Sequence, residues 1–177
     1  PNLSGCVAGC TMVEVAVGIV HPKVEGKAQY HNQKRVVDSE LPLFPFDIQF
    51  GDESEIVGIE SRGFVMSSAL AIRLGAGVVL CRKPGKLPCE TIKEDYTKEY
   101  GTDTIEIHKD AINENDVILL HDDLLATGGT MKAACDLVKK FSPKKVYCNF
   151  IIELVNENLN GRDIFDKDIE ISTLLQL

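Results

Sequence analysis

The sequence predicts an α/β fold with a mainly parallel, twisted central sheet flanked by helices. From residue 56 onward, short β-rich runs alternate with helical segments, which is the pattern of βαβ units. The run Val117–Leu120 is continuously apolar between polar residues, as expected for a strand buried on both faces. A chain of 177 residues with 44% hydrophobic composition can bury one substantial core, so a single domain is expected overall.

The first βαβ unit is predicted from two apolar runs around a helical segment. Ile56–Ile59 is expected to be a strand, Phe64–Leu74 a helix capped by Gly75, and Val78–Cys81 the next strand. Residues 83–95 carry prolines, a glycine and charges without an apolar period, which predicts a long loop of the kind that serves as a lid.

The remaining elements follow in order along the chain. We expect strands at Thr104–Ile107, Val117–Leu120, Lys145–Ile152 and Ile169–Leu175, with a helix at Thr130–Phe141. Residues 1–55 are weakly patterned apart from a strand-like run at Val13–Val20. We therefore divide the chain into an N-terminal region, 1–55, and a core, 56–177.

Charge and composition exclude several classes of protein. The net charge of −8 argues against a nucleic-acid partner. No apolar stretch is long enough to span a membrane, and the N-terminus does not resemble a secretory signal, so a cytoplasmic protein is expected. The six cysteines are interpreted as reduced; Cys6 and Cys10 leave a zinc site as a minor alternative, and Cys135 and Cys148 are expected in the core.

The segment from Ile118 to Thr130 carries the chemistry. It combines an apolar strand, the acid pair Asp122 and Asp123, and the turn Ala126-Thr-Gly-Gly-Thr130 that opens a helix. Glycines there allow close backbone approach, and successive N–H groups with two threonine hydroxyls can converge on one phosphate. The acid pair can accept hydrogen bonds from the vicinal hydroxyls of a ribose. The alternative is a plain tight turn with an N-cap. The spacings of a Walker loop and of a dinucleotide fingerprint do not occur.

Asp122 to Thr130 resembles the phosphoribosyl-pyrophosphate (PRPP) motif of the type I phosphoribosyltransferase family, and its wording is closest to the adenine-specific members. Gly58-Ile-Glu-Ser-Arg-Gly-Phe64 is similar to their pyrophosphate loop, and Arg82-Lys-Pro-Gly-Lys-Leu-Pro88 to the start of their flexible lid. Glu99-Tyr-Gly101 is similar to their catalytic segment. The resemblance implies transfer of a phosphoribosyl group from PRPP to adenine, giving AMP and pyrophosphate.

Family roles follow by position. The acid pair is expected to hold the ribose hydroxyls, the turn to hold the 5-phosphate, and Arg62 to contact pyrophosphate beside a cis Glu60–Ser61 peptide. Glu99 is expected to manage the proton of the base, so Glu99 and Arg62 are the predicted catalytic residues. The predicted PRPP- and AMP-binding residues are Ser61, Arg62, Arg82, Lys83, Lys86, Tyr100, Asp122, Asp123, Leu124, Leu125, Ala126, Thr127, Gly128, Gly129 and Thr130.

The resemblance also implies magnesium (Mg2+), held mainly through substrate and water near the acid pair, and a homodimer. It implies a small N-terminal hood over the base. The Phe-Arg-Asp segment of relatives is not found, and Phe44–Ile48, which lacks the arginine, is the segment most similar to it. His121 is expected to be neutral and hydrogen-bonded rather than catalytic. Two alternatives stay open: another purine base as substrate, or a module that senses PRPP or a nucleotide without catalysis.

Overall fold

The structure, a computed structural model, describes residues 50–51, 53–98, 101–155 and 159–177. Within them, the chain forms seven strands and two helices: β1 (Ser54–Ile59), α1 (Gly63–Leu74), β2 (Gly77–Cys81), β3 (Thr91–Lys98), β4 (Gly101–His108), β5 (Val117–Leu125), α2 (Gly129–Lys139), β6 (Lys145–Glu153) and β7 (Glu170–Gln176). The predicted strand Val13–Val20 and the Phe44–Ile48 segment lie outside the described residues, as does the proposed hood up to residue 49.

Five of these strands form one sheet in the order β2-β1-β5-β6-β7, and every neighbouring pair is parallel. The parallel α/β architecture expected from the sequence is therefore confirmed. β3 and β4 pair separately as an antiparallel hairpin, and Arg82 joins the hairpin through a bridge to Glu106.

Helices cover the two faces of the sheet. α1 packs Leu70 and Ala71 against Ile56 and Leu119 on one face. On the other face, α2 packs against a larger apolar cluster that includes Leu120 and the hairpin's buried isoleucines. The central strand β5 is enclosed by both layers, and its residues Ile118, Leu119 and Leu120 are 0% exposed. This enclosure explains the continuous apolar run in the sequence.

Local signals place the helix ends. α1 ends at Gly75, which adopts a left-handed conformation with φ of 68° and donates its N–H to Ala71 O. A residue with a Cβ is disfavoured in that conformation, so the glycine stops the helix where the sequence predicted.

Two sequence predictions are wrong in extent. The loop predicted at 83–95 ends earlier, because β3 begins at Thr91. Charged residues at its outward positions hid the alternation, in which Ile92 and Tyr96 are partly buried and Lys93 and Asp95 are exposed. β5 continues past Leu120 to Leu125, so the acid pair lies within the strand rather than after it.

Candidate active site

The site lies at the edge of the sheet where the parallel strands end. The chain leaves β1 toward β2 on one side, while β5, β6 and β7 extend on the other, so the strand order reverses between β1 and β5. In open α/β sheets, ligands bind in the crevice at this reversal, beyond the carboxyl ends of the strands. The motif residues after β1, after β2 and at the end of β5 therefore share one edge.

The acid pair and Arg62 meet at this reversal. Asp122 is largely buried, and burial raises the pKa of its carboxyl to about 7. Asp123 places Oδ2 at 3.2 Å from Arg62 Nε, and the Arg62 side chain is 71% exposed. Asp123 and the exposed Arg62 guanidinium thus stand beside the Asp122 carboxyl. A cation bound nearby would favour the ionised form of that carboxyl. The sequence placed these three side chains in one site, and the structure brings them together.

Gly63 makes this closeness possible. A Cβ on Gly63 would lie 2.6 Å from His121 O and 3.3 Å from Asp122 Oδ1. Only a residue without a side chain lets the start of α1 approach β5 so tightly. The Glu60–Ser61 peptide just before it is cis, as the resemblance implied.

The turn from Ala126 to Thr130 leads directly into α2. Gly128 stands at the N-cap with φ of 79°, and no side chain caps the helix there. The first N–H groups of a helix have no partner inside it, and together with the helix dipole they favour a bound anion. The turn can therefore hold an anion, such as a phosphate, beside the acid pair.

The three cations that follow β2 lie against acidic side chains. Glu60 Oε2 accepts hydrogen bonds from Arg82 Nε at 3.2 Å and from the Lys83 backbone N–H at 2.9 Å. Glu60 Oε1 lies 3.9 Å from Lys86 Nζ, and Lys83 Nζ bonds Asp103 at 2.6 Å. The hydrogen bonds from Lys83 and Arg82 lower the pKa of Glu60 despite the opposing effect of burial.

Sequence reasoning did not single out Glu60, although it stands within the recognised loop beside Ser61 and Arg62. An acid directly after a buried strand was the available signal. Through its contacts with Arg82, the Lys83 backbone and Lys86, Glu60 holds the segment that follows β2 against the end of β1.

The hairpin β3–β4 is tied to α2 and to the turn. Lys140 Nζ lies 2.6 Å from Glu94 Oε2, and Thr130 Oγ1 donates a long hydrogen bond of 3.5 Å to Tyr96 Oη. Glu99 and Tyr100 lie outside the described residues, so their predicted roles stay predictions.

His121 is buried on β5 next to the acid pair but takes part in a separate network. Its Nδ1 lies 2.9 Å from Asn149 Oδ1, and Asn149 Nδ2 donates to Ser172 Oγ at 2.8 Å. Burial lowers the pKa of the imidazole. These contacts agree with the neutral, hydrogen-bonded histidine expected from the sequence.

Comparison with known proteins agrees with this geometry. Residues 48–167 match the model of the phosphoribosyl transferase domain. Over 124 residues, the chain is 66% identical to an adenine phosphoribosyltransferase of Bacteroides thetaiotaomicron, covering 70% of this chain and 69% of the relative. The chain belongs to the adenine phosphoribosyltransferase family.

Solved structures of this family share the fold. The adenine phosphoribosyltransferase of Rhodothermus marinus matches with a TM-score of 0.67 and 48% identity, over 71% of this chain and 70% of that one. The Saccharomyces cerevisiae enzyme, solved with an imino-altritol bisphosphate and adenine, matches with a TM-score of 0.65 and 40% identity over 73% and 69%. The phosphoribosyltransferase fold predicted from the sequence is thus confirmed.

Among the described residues, no helix is both long and apolar enough to cross a bilayer.

Cys135 and Cys148 are fully buried, as predicted, and their Sγ atoms lie 3.5 Å apart.

Proposed function

We propose that this phosphoribosyltransferase transfers the phosphoribosyl group of PRPP to adenine, giving AMP and pyrophosphate in purine salvage. The observation that carries the proposal is the convergence of Arg62, the acid pair and the Ala126–Thr130 turn at one edge of the sheet. Cations, carboxylates and main-chain donors in this arrangement match the three parts of PRPP: pyrophosphate, ribose and 5-phosphate.

The turn binds the 5-phosphate through the N–H groups at the start of α2. Asp122 and Asp123 accept hydrogen bonds from the ribose hydroxyls, and Leu124 and Leu125 complete the strand that presents them. The 5-phosphate and the ribose are then anchored on rigid elements, so the anomeric carbon is oriented before the reaction.

The reaction separates charge, because the ribose ring becomes positive and the departing pyrophosphate carries negative charge. Carboxylates beside the ring and cations beside the leaving group both stabilise that transition state. Arg62 stands next to Asp123, while Arg82, Lys83 and Lys86 follow β2 at the same edge. Glu99 is the group that we propose to exchange a proton with the base.

Magnesium fits this site as a partner of the substrate rather than of a protein cage. The described residues contain no group of three or more His, Cys, Asp or Glu side chains placed to hold a metal. Two adjacent carboxylates still offer the oxygen atoms that Mg2+ prefers, directly or through water. When bound, the ion would neutralise charge on the pyrophosphate. Asp122 and Asp123 are the residues we propose to face it.

We also propose a homodimer that works in the cytoplasm, with residues 1–55 as the hood region and 56–177 as the core. α1 and the edge strand β2 expose Val65 (73%), Ile72 (71%), Val78 (42%) and Leu80 (40%). A second copy covering this face would border Arg62, because α1 begins directly after it. The four cysteines of the described residues are free thiols, as is typical of a reducing compartment.

Steady-state assays with PRPP, magnesium and each purine base in turn test the function. We expect AMP formation with adenine and little turnover with guanine, hypoxanthine or xanthine. Turnover of guanine but not adenine would reassign the substrate. Calorimetric binding of PRPP with no AMP formed would instead favour a sensing module.

A further inference from the structure

Residues 160–166 form a turn segment, here called the buttress, that lies against the Ala126–Thr130 turn, here called the phosphate turn. Asp163 N–H bonds Asn160 O at 3.0 Å, and Phe165 N–H bonds Arg162 O at 3.3 Å, which closes the segment on itself. Gly161, inside the segment, is buried. No motif used for the function includes these residues.

The buttress and the phosphate turn touch through their backbones. A Cβ on Gly128 would lie 2.7 Å from Gly161 O and 2.9 Å from Ile164 Cδ1. A Cβ on Gly161 would in turn lie far inside contact distance of Ala126 O, and 2.9 Å from Leu125 Cδ1. No side chain separates the two segments, so the position of one determines the position of the other.

Arg162 clamps the buttress to the end of β6. Its Nε and Nη2 bond the two oxygens of Glu153 at 2.6 and 2.8 Å, and Nη1 donates to Ile171 O at 3.1 Å. Only 7% of the Glu153 side chain is exposed, and Thr173 and Gln176 also donate to it at 3.1 Å. A two-pronged pair of this kind fixes orientation as well as distance.

The same unit is tied to the strand and helix on either side of the turn. Leu154 N–H, directly after Glu153, bonds Leu125 O at 2.9 Å. At the far end of the buttress, Asp166 bonds Lys139 of α2 at 2.8 Å and lies 3.5 Å from Lys132. The buttress and the end of β6 therefore contact the phosphate turn at its start and at its middle, and they also contact the helix that follows it.

We propose that the buttress, held by the Arg162–Glu153 pair, positions the phosphate turn for the 5-phosphate of the substrate, with Gly161 and Arg162 as positioning residues. The proposal rests on the function proposed above. Main-chain donors cannot swing toward a displaced ligand as long side chains can, and a misplacement of about 1 Å costs on the order of 100-fold in rate. Lysine would keep the charge of Arg162 but lose its planar fork.

The test uses Gly161→Ala and Arg162→Lys in the full chain. Gly51→Ala is the matched glycine control, since a Cβ there would meet nothing within 4 Å and neither Gly51 nor Gly161 has a positive φ. Lys167→Arg is the matched control for an exchange between arginine and lysine, since Lys167 is exposed beside the buttress. The readouts are the KM for PRPP, the KM for adenine, kcat, calorimetric binding of ribose 5-phosphate, and thermal unfolding.

We expect both test variants to raise the KM for PRPP and weaken ribose 5-phosphate binding by about tenfold or more, with the KM for adenine nearly unchanged. The two controls should match the wild-type chain. If Gly161→Ala does not fold, Arg162→Lys still decides, because a cation remains beside Glu153.

Folded variants with wild-type ribose 5-phosphate binding, or with equal losses for both substrates, would overturn the inference. The proposed function fails separately: a wild-type chain that binds ribose 5-phosphate but forms no AMP refutes the function. The effect of the variants on ribose 5-phosphate binding would then still decide the role of the buttress.

Discussion

Gly63→Ala is expected to damage catalysis far more than stability. The new Cβ would stand 2.6 Å from His121 O, about 0.8 Å short of the 3.4 Å at which ordinary contact begins. His121 O belongs to the backbone of the central strand, so the start of α1 must move instead. Arg62 precedes that turn, and the distance between its Nε and Asp123 Oδ2, now 3.2 Å, would change with it.

The two effects differ in size. Overpacking costs about 1–3 kcal/mol, and replacing glycine by alanine returns about 0.4–1 kcal/mol through the unfolded chain. A net loss of up to about 2.6 kcal/mol leaves a protein of ordinary stability almost fully folded at 25 °C. A displacement approaching 1 Å at the site, by contrast, costs on the order of 100-fold in kcat/KM.

The assay compares kcat/KM for PRPP with the midpoint of thermal unfolding, for Gly63→Ala and for Gly51→Ala. We expect a drop of about 100-fold in kcat/KM with a fall of only several degrees in Tm for the first variant, and no change for the second. A Gly63→Ala enzyme with wild-type kcat/KM would refute the claim that this close approach sets the geometry of the site.

Four further variants test separate parts of the site and its support. Gly129→Ala places a Cβ within 4 Å of no protein atom, so Tm should stay unchanged. The KM for PRPP should rise, because the methyl group is added to the turn proposed to bind the 5-phosphate; an unchanged KM would contradict that role of the turn. The hydrogen bonds from Arg162 hold the pKa of Glu153 below its usual 4.5, so this pair stabilises the fold above pH 4.5 and loses that contribution as pH falls through the lower, folded-state pKa. Urea unfolding of Glu153→Gln should therefore show a shallower loss of stability below pH 4.5 than the wild-type chain, and identical slopes would count against the pair. Asp123→Asn should raise the KM for PRPP more than that for adenine, whereas Glu99→Gln should mainly lower kcat; small, equal effects would contradict both roles.

Strands and helices of the core could be predicted wherever the apolar residues followed one regular spacing along the sequence. β5 is apolar on both faces because both faces are covered, and α1 ends at a glycine that takes the left-handed conformation its cap requires. β3 was missed because its alternation is carried by charged and polar side chains, which pair with other elements only once the hairpin lies against α2. Glu94 illustrates this, since its partner Lys140 is 46 residues away in the sequence.

Some residues of the candidate site could likewise be predicted from the sequence, and others could not. The acid pair and the Ala126–Thr130 turn lie close together in the chain, so their residue types and spacing were enough to predict a site for a phosphate and a ribose. Glu60 and the buttress could not be found this way, because their importance depends on contacts between distant segments. From the sequence, Gly161 is an ordinary turn glycine; only the structure shows that its backbone packs directly against Ala126 O.

Most strands, both helices and the short motifs that indicate a chemistry could be predicted from the sequence, because they are encoded in residues close along the chain. Which charges meet and how closely backbones approach could be learned only from the folded protein. Those quantities depend on the register of parallel strands and on packing between segments far apart in sequence, and neither can be read from local composition.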